Sequence, residues 1–450
     1  MRVLIAGGVL VLATGGVGAG MYWSGGIAEQ QYQQAWDELA ESPYIRVVDR
    51  DFQRGQWRST ARTEFTVTGE AAELMEPWSA DETRGELTFV MEDTVHHGPV
   101  LLGADRPFAA ARIESNLRPG DVTVAAFPAL ARDRSLLEAD TVVAFDGSSR
   151  IRYWSPDYDW QEGDGRFLLS GMHGTVKLNA TLDEHRTESF VNELVLAGPE
   201  ARFSIRDAAV RADGRAVTPR LWVGASELTV EHVAVEAEGE RAELDGMIVS
   251  WTVDADDGVV SADLAAGLDV IRSPEGEFRD GRLRVAARNI DQDALERVIG
   301  WGEAVEQGRM SRNEFNRRLM SAWPEFLARN PELVVEELGL QTSDGPFSGS
   351  AGVLWTAGAP DMNNPFALVN GLAIEVRLAG PRDWWQQAAE GLASEAPVDA
   401  ADDMTLRSLI DQGLLVEDNG DLRTELILRE GMVHANGNNL GSVWQLIMGF

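Results

Sequence analysis

Strict alternation of apolar and polar residues is the pattern that most constrains the fold of this 450-residue chain. Several stretches show it, and the longest runs from Val260 to Val270. Successive side chains of a strand point to opposite faces, so each stretch has one apolar and one polar face, as in antiparallel sheets. Gly-containing pairs predict tight turns between the stretches; they stand at 146–147, 213–214, 245–246, 257–258, 280–281 and 419–420.

Helical spacing interrupts the alternation in a few places. Phe315, Leu319 and Trp323 recur at every fourth position and predict helices within 291–330. A second amphipathic segment, Leu440–Met448, follows a predicted hairpin near the end of the chain. The sequence therefore predicts a β-rich α+β protein with curved antiparallel β-sheets, a central helical insertion, and a C-terminal hairpin plus helix.

The N-terminal stretch Val3 to Trp23 is apolar and has no charged side chain. About 20 such residues in a helix span the roughly 30 Å hydrocarbon core of a bilayer. Arg2 precedes the stretch and acidic residues follow it, so the charge bias predicts a single-pass inner-membrane anchor with the body in the periplasm. Cleavage as a signal peptide near Ala19 is the alternative.

This anchor sets the first of four predicted regions. The regions are a transmembrane segment at 1–26, a β-rich region at 27–290, a helical insertion at 291–330 and a second β-rich region at 331–450. Gly8 and Gly16 lie two turns apart on the anchor helix, and small residues let helices pack closely in lipid. The sequence therefore leaves a homodimer open.

The composition excludes several functions. The chain has 73 acidic and 39 basic residues, a formal net charge of −34, and such a surface repels nucleic acid. Lys177 is its single lysine. Because the chain has no cysteine, thiol catalysis, disulfides and thiolate metal sites are excluded.

His96-His97-Gly98-Pro99 is the sharpest local motif for chemistry. Neighbouring residues on a strand point to opposite faces, so the two histidines are poorly placed to chelate one ion. The other histidines also lack metal-ligand spacing, and we expect neither a metal nor a cofactor. The motif favours a structural role over catalysis; if the protein is an enzyme, His97 is the best single candidate for proton transfer.

The order of motifs resembles the YdgA-like family of bacterial envelope proteins, whose function is not established. The resemblance rests on the anchor, on the segment Phe52–Ser59, on His97-Gly98-Pro99 after a strand, and on the C-terminal hairpin and helix. It implies an inner-membrane-anchored periplasmic protein, distantly related to the AsmA-like group. That group has long curved sheets with an apolar inner groove and is linked to lipid traffic. The resemblance brings no catalytic residues.

Individual residues carry the family motifs. We expect Arg54-Gly55 to form a turn with a close backbone approach, and Trp57 to anchor the core. The motif residues are Arg54, Gly55, Trp57, Ser59, His97, Gly98 and Pro99.

These patterns predict a binding or scaffold function in the cell envelope. An apolar sheet face needs a covering layer or a ligand. The groove residues would be Val260, Leu264, Leu268 and Val270, and they would hold lipid or a segment of an outer-membrane protein. Two alternatives stay open: a closed scaffold that binds proteins through its rim, with helices covering the row, and an envelope hydrolase acting on glycan or lipid.

Overall fold

The computed structural model describes residues 45–67, 87–98, 108–126, 134–198, 201–358, 364–386 and 406–448, except residues 56, 163–164, 238, 275, 307 and 419; it also describes residues 32–33, 36–37 and 40. The predicted anchor at 3–23 and Pro99 lie outside the described residues. Within the described ranges, no helix combines the length and the apolar character needed to cross a bilayer.

The chain is β-rich, as the alternation predicts, and it divides into two compact units. One unit comprises the residues up to Ala216 with Val235–Glu238, and the other comprises Val217–Ala234 with Gly239–Phe450. The division into regions at 290 and 330 stays a prediction.

The first unit is an antiparallel sheet. Its strands pair in the order β1–β2–β3–β4–β5–β6–β9–β10–β11, and β8 pairs with both β7 and β10. The elements are β1 (Ile45–Gln53), β2 (Arg58–Val67), β3 (Leu87–His97), β4 (Ala111–Pro119), α1 (Asp121–Ala126), β5 (Leu137–Val143), β6 (Ser149–Trp154), β7 (Tyr158–Glu162), β8 (Gly165–Ser170), β9 (His173–Leu178), β10 (Glu184–Ala197) and β11 (Ala201–Ala216).

The second unit has longer strands, again paired antiparallel. The order is β13–β14–β15–β16–β17–β18–β20–β21–β22, and β19 also pairs with β20. Strand β12 (Trp222–Ala237) contributes residues to both units. The strands that follow are β13 (Glu240–Asp256), β14 (Val259–Ser273), β15 (Gly276–Asp291), β16 (Glu332–Thr342), β17 (Gly345–Trp355), β18 (Leu372–Pro381), β19 (Val416–Asp418), β20 (Asp421–Arg429), β21 (Met432–Ala435) and β22 (Asn438–Ser442).

The helices of this second unit are few. Within the predicted insertion they are α2 (Gln292–Glu306) and α3 (Arg312–Ala328), which pack against each other and against β15. The Ser311 side chain caps α3 by accepting the Glu314 N–H at 3.2 Å, and the helix continues through Pro324. The remaining helices are α4 (Pro365–Gly371), α5 (Leu406–Asp411) and α6 (Val443–Met448).

The C-terminal helix begins later than predicted. Leu440 lies in β22, which pairs with β21, so the predicted hairpin is a three-stranded meander and α6 starts at Val443. The apolar spacing of this segment fits a short strand followed by a helix as well as a single helix, and pairing decides between them.

Several predicted turns are wrong. Asp257-Gly258 does join β13 to β14, with positive φ at both residues, as a two-residue hairpin turn requires. In contrast, the pairs at 213–214, 245–246 and 280–281 lie inside β11, β13 and β15. Asp280 has a φ of 51° beside a register shift between Arg279 and Arg282, so it marks a bulge. Bulges and tight turns both need a left-handed residue, and sequence alone does not separate them.

The core of the first unit lies on one face of its sheet. Helical residues Tyr32 and Trp36 are fully buried against that face, and the Trp36 ring centroid lies 5.4 Å from that of Phe65. Trp57 is the contrast: it lies in the loop between β1 and β2 and is 74% exposed, so the prediction that it anchors the core is wrong. The Trp57 carbonyl accepts a hydrogen bond from the His97 N–H, while its indole ring lies outside the core.

Replacing Trp36 by alanine should destabilise the first unit by about 3–5 kcal/mol, the usual cost of removing a buried aromatic side chain. Urea unfolding of the full chain, followed by circular dichroism, measures this. Trp57→Ala removes the same side chain from an exposed position and should change the unfolding free energy by less than about 0.5 kcal/mol. Equal losses for the two variants would contradict the placement of the helix in the core.

Candidate functional site

The two family motifs meet at one end of the first sheet. Arg54 and Gly55 lie in the loop between β1 and β2, while His97 ends β3. Ser59 Oγ lies 3.0 Å from His97 Nε2 although the two residues are 38 apart in the chain. The His97 N–H also donates to the Trp57 carbonyl at 3.0 Å. The structure therefore joins residues that the sequence offered only as separate motifs.

Close backbone approaches explain both glycines of the motifs. A Cβ on Gly55 would lie 1.8 Å from the Arg58 carbonyl oxygen, so the predicted close approach at Arg54-Gly55 is confirmed. A Cβ on Gly98 would lie 2.1 Å from the Ala109 carbonyl oxygen, and the Gly98 N–H donates to Ala110 O at 2.8 Å. Any side chain at either position would displace the neighbouring backbone.

The protonation state of His97 follows from its surroundings. Partial burial lowers the His97 pKa, and the nearby positive charges of His96 and Arg54 lower it further. Ser59 Oγ accepts the Gly55 N–H at 3.2 Å, which leaves its own proton to donate to Nε2 of a neutral His97. The Gly55–Ser59–His97 chain of hydrogen bonds thus ties the β1–β2 loop to the end of β3.

This geometry fits a structural tie better than a nucleophile and base. Ser59 is fully buried, and its oxygen already accepts a backbone hydrogen bond. Among the described residues, no carboxylate hydrogen-bonds to His97, so the pair lacks the third group that orients a catalytic histidine. His96 points elsewhere and pairs with the exposed Glu114 at 3.2 Å, as expected for adjacent strand residues.

A buried carboxyl group, which the sequence analysis missed, lies in the same sheet. Asp93 on β3 is 4% exposed, and its Oδ2 has no hydrogen-bond partner among the described residues. Burial raises the Asp93 pKa to about 7, and a hydrogen bond with Ser115 offsets part of that rise. Burial also raises the pKa of Tyr32, and the charge of Asp93 raises it further; the Tyr32 hydroxyl hydrogen-bonds to Thr63.

The second unit presents an extended apolar face. Strand registers align apolar residues side by side across eight strands, β13 to β18 with β20 and β21, in two neighbouring rows. The first row is Trp251, Leu264, Val285, Val335, Ala351, Val376, Leu426 and Ala435. The second row is Val253, Ala262, Ala287, Leu333, Val353, Ile374, Leu428 and Val433. We call these sixteen residues the apolar rows.

Most side chains of the apolar rows are partly exposed. Trp251, Leu333 and Val353 are 40%, 54% and 42% exposed, and Ala435 is the single fully buried member. The described helices therefore leave this face incompletely covered.

The predicted groove residues occupy different parts of this face. Leu264 lies within the first row, and Leu268 lies further along β14, packed on Gly281. Val260 is 3% exposed and pairs with Ile290, close to where α2 begins. Val270 lies between Asp245 and Arg279, so the apolar surface ends before it. The prediction treated the four as equivalent, and the neighbouring strands make them unequal.

The opposite face of this sheet is polar. Ion pairs cross its strands, with Arg288 and Glu336 2.6 Å apart and Arg377 and Glu425 2.8 Å apart. A cavity of about 800 Å³ lies over Ser350 and Arg377 on this face, and none of the predicted groove residues lines it.

In the described ranges, no group of three or more His, Asp or Glu side chains is placed to hold a metal ion.

Asp93 should make the stability of the first unit decrease with rising pH. Its folded pKa, about 7, lies above the unfolded value of 3.8, so the folded state binds more protons between these values and loses about 4 kcal/mol across them. Urea unfolding of the full chain at pH 4.5 to about 8 should show this slope. Asp93→Asn should abolish the contribution, and Asp51→Asn, on an exposed carboxylate, should retain it. Identical slopes in both variants would rule the assignment out.

Removing the Ser59–His97 hydrogen bond should lower stability. His97→Ala and Ser59→Ala should each cost about 1–3 kcal/mol. His97→Ala leaves the buried Ser59 hydroxyl without its acceptor, and Ser59→Ala removes the partner of both the Gly55 N–H and His97 Nε2. His96→Ala, with an exposed partner, is the matched control and should change stability little. If His97→Ala instead leaves the thermal unfolding midpoint unchanged but abolishes hydrolysis of an envelope glycan or lipid, His97 is catalytic and the structural role is refuted.

Comparison with known families bears on the whole chain. No curated protein matches the chain. A family model described as "Bacterial protein of unknown function (DUF945)" matches residues 2–441, which include both motifs and the apolar rows. The chain therefore belongs to this family of bacterial proteins of unknown function.

Proposed function

We propose that this protein is a membrane-anchored periplasmic protein that binds a lipid acyl chain on the apolar rows of its second unit. The partial exposure of those rows across eight strands is the observation that carries the proposal. Soluble proteins rarely expose apolar patches larger than a few hundred Å², and such patches mark interaction sites.

The dimensions of the rows fit a long flexible hydrocarbon. Eight strands span seven spacings of about 4.8 Å, or roughly 34 Å, measured across the sheet. Each methylene group that leaves water contributes about 0.8 kcal/mol, so a chain lying along the rows gains affinity over its whole length. Exposed Trp251 and Leu333 lie on different strands of this path and offer large contact surfaces.

A lipid suits this surface better than a protein segment does. Strands β14 to β18 are each hydrogen-bonded to a neighbouring strand on both sides, and the rows present side chains alone. A segment of an outer-membrane protein would need partners for its own backbone N–H and C=O groups, which a sheet edge supplies and a sheet face does not. An acyl chain has no such groups.

The location is part of the proposal. The charge-free run Val3 to Trp23 and the acidic residues after it support an inner-membrane anchor and a periplasmic body. The motif resemblance to YdgA-like proteins, and through them to the AsmA-like group, points in the same direction. A lipid-holding sheet beside the membrane would shield acyl chains from water during envelope assembly.

The two alternatives have weaker support. A closed scaffold requires the rows to be buried, whereas Leu333 and Val353 are about half exposed. For a hydrolase, the best candidate for a catalytic pair among the described residues is Ser59 with His97. Ser59 is buried, however, and its oxygen already accepts a hydrogen bond. The 800 Å³ cavity on the polar face has its arginines paired with carboxylates.

Native mass spectrometry of the detergent-extracted full chain, followed by organic extraction, tests the proposal. We expect copurified phospholipid or fatty acid, lost in Leu333→Asp and Leu264→Asp because a charge on the rows opposes acyl binding. Leu333 is more than half exposed, so this variant should keep the fold. Ser250→Asp places the same charge on the opposite face and should retain lipid. A folded wild-type chain that carries no lipid and takes up none from vesicles would refute the function.

A further inference from the structure

Three cationic side chains lie in one lateral row of the first unit, on strands that contribute to neither site described above. Arg150 on β6 pairs with Lys177 on β9, and Lys177 pairs with Arg186 on β10. Residues directly opposite on paired strands point to the same face, with Cβ atoms about 4.5–5.5 Å apart. The chain's single lysine thus lies between two arginines. We call these three residues the cationic row.

The nearby carboxylates do not neutralise the cationic row. Asp140 accepts hydrogen bonds from Arg112 at 2.6 Å and from Arg152 at 2.7 Å, so it is fully engaged. Among the residues that the structure describes, Arg150, Lys177 and Arg186 form no ion pair. Asp213 on β11 lies opposite Arg186, and in the described part of the chain these two side chains form no ion pair.

A small cavity lies over the cationic row. It has a volume of about 230 Å³ and is lined by the three cations together with Arg152, Thr175 and Glu188. Thr175 adds a hydroxyl donor in the neighbouring row, between Arg152 and Glu188. The side chains around the cavity are therefore mostly hydrogen-bond donors, with Glu188 as the single carboxylate at one end.

Like charges directly opposite each other on a sheet repel, so the cationic row destabilises the unit unless an anion binds. The chain as a whole carries a net charge of −34, with 73 acidic residues against 39 basic ones. An unneutralised row of three cations in such a chain is the arrangement expected of an anion site.

We propose that the cationic row binds a single phosphate group. Arginines bind phosphate oxygens in a bidentate manner, and a lysine between them contributes a compact positive charge. Three cations match a phosphomonoester dianion, and Glu188 at the end of the cavity repels a second phosphate beside it. The phosphate belongs either to a lipid headgroup or to a free phosphate ester. The inference is independent of acyl binding by the second unit.

Isothermal titration calorimetry of the full chain in a neutral detergent tests the site with two probes, inorganic phosphate and dihexanoyl phosphatidic acid. The double variant Arg150→Gln/Lys177→Gln should bind at least about tenfold more weakly, a difference of about 1.4 kcal/mol. Lys177→Arg should keep the affinity, and Glu188→Gln should increase it. The charge-matched control Arg297→Gln/Arg318→Gln removes two exposed, ion-paired arginines and should bind as the wild type does.

The two probes distinguish the sources of the phosphate. Tighter binding of phosphatidic acid than of inorganic phosphate assigns the site to a lipid headgroup, and equal affinities assign it to a free phosphate. Thermal unfolding gives a second readout: phosphate should raise the midpoint of the wild type above that in chloride of equal ionic strength, and leave the double variant unchanged. Binding of neither probe, or equal weakening in the control, would overturn the proposal.

Discussion

The hydrogen-bond register of the long strands is the constraint on which the second unit depends. Each pairing between neighbouring strands of the apolar rows sets one apolar residue opposite another, as Leu264 is opposite both Trp251 and Val285. A shift of one residue in any pairing would turn that strand's apolar side chains onto the face of the ion pairs. The two-residue turn at Asp257-Gly258 fixes the register between β13 and β14. After each register shift along β15, the strands again pair apolar residues with apolar residues.

The first unit also has an apolar sheet face, but it covers that face with its own residues. Its apolar face is covered from within the chain by Tyr32 and Trp36, and the side chains beneath are almost completely buried. The same buried environment raises the pKa of Asp93 to about 7. In the second unit the apolar face of the sheet remains partly exposed to solvent. One chain therefore contains a closed apolar face and an open one, both built from alternating strands.

Alternation was sufficient to predict the β-rich fold and Leu264 on an apolar face, and helical spacing predicted the place of α2 and α3. Neither pattern predicted which residues become neighbours, because register depends on pairings between distant strands. Ser59 and His97 meet across 38 residues, and the cationic row is assembled from three strands. The prediction for Trp57 was wrong because an aromatic residue inside a motif is usually buried, whereas here Trp57 contacts His97 through its backbone carbonyl and its ring is exposed.

Because the chain has a single lysine, amine-reactive reagents and lysine-specific proteases act at one known position in the first unit. Besides the N-terminus, Lys177 is the one primary amine, and it projects from a strand that is hydrogen-bonded on both sides. An amine-reactive dye would report from the exposed face of the folded first unit. A lysine-specific protease, in contrast, needs an unpaired backbone there, so its single cut would record the opening of β9.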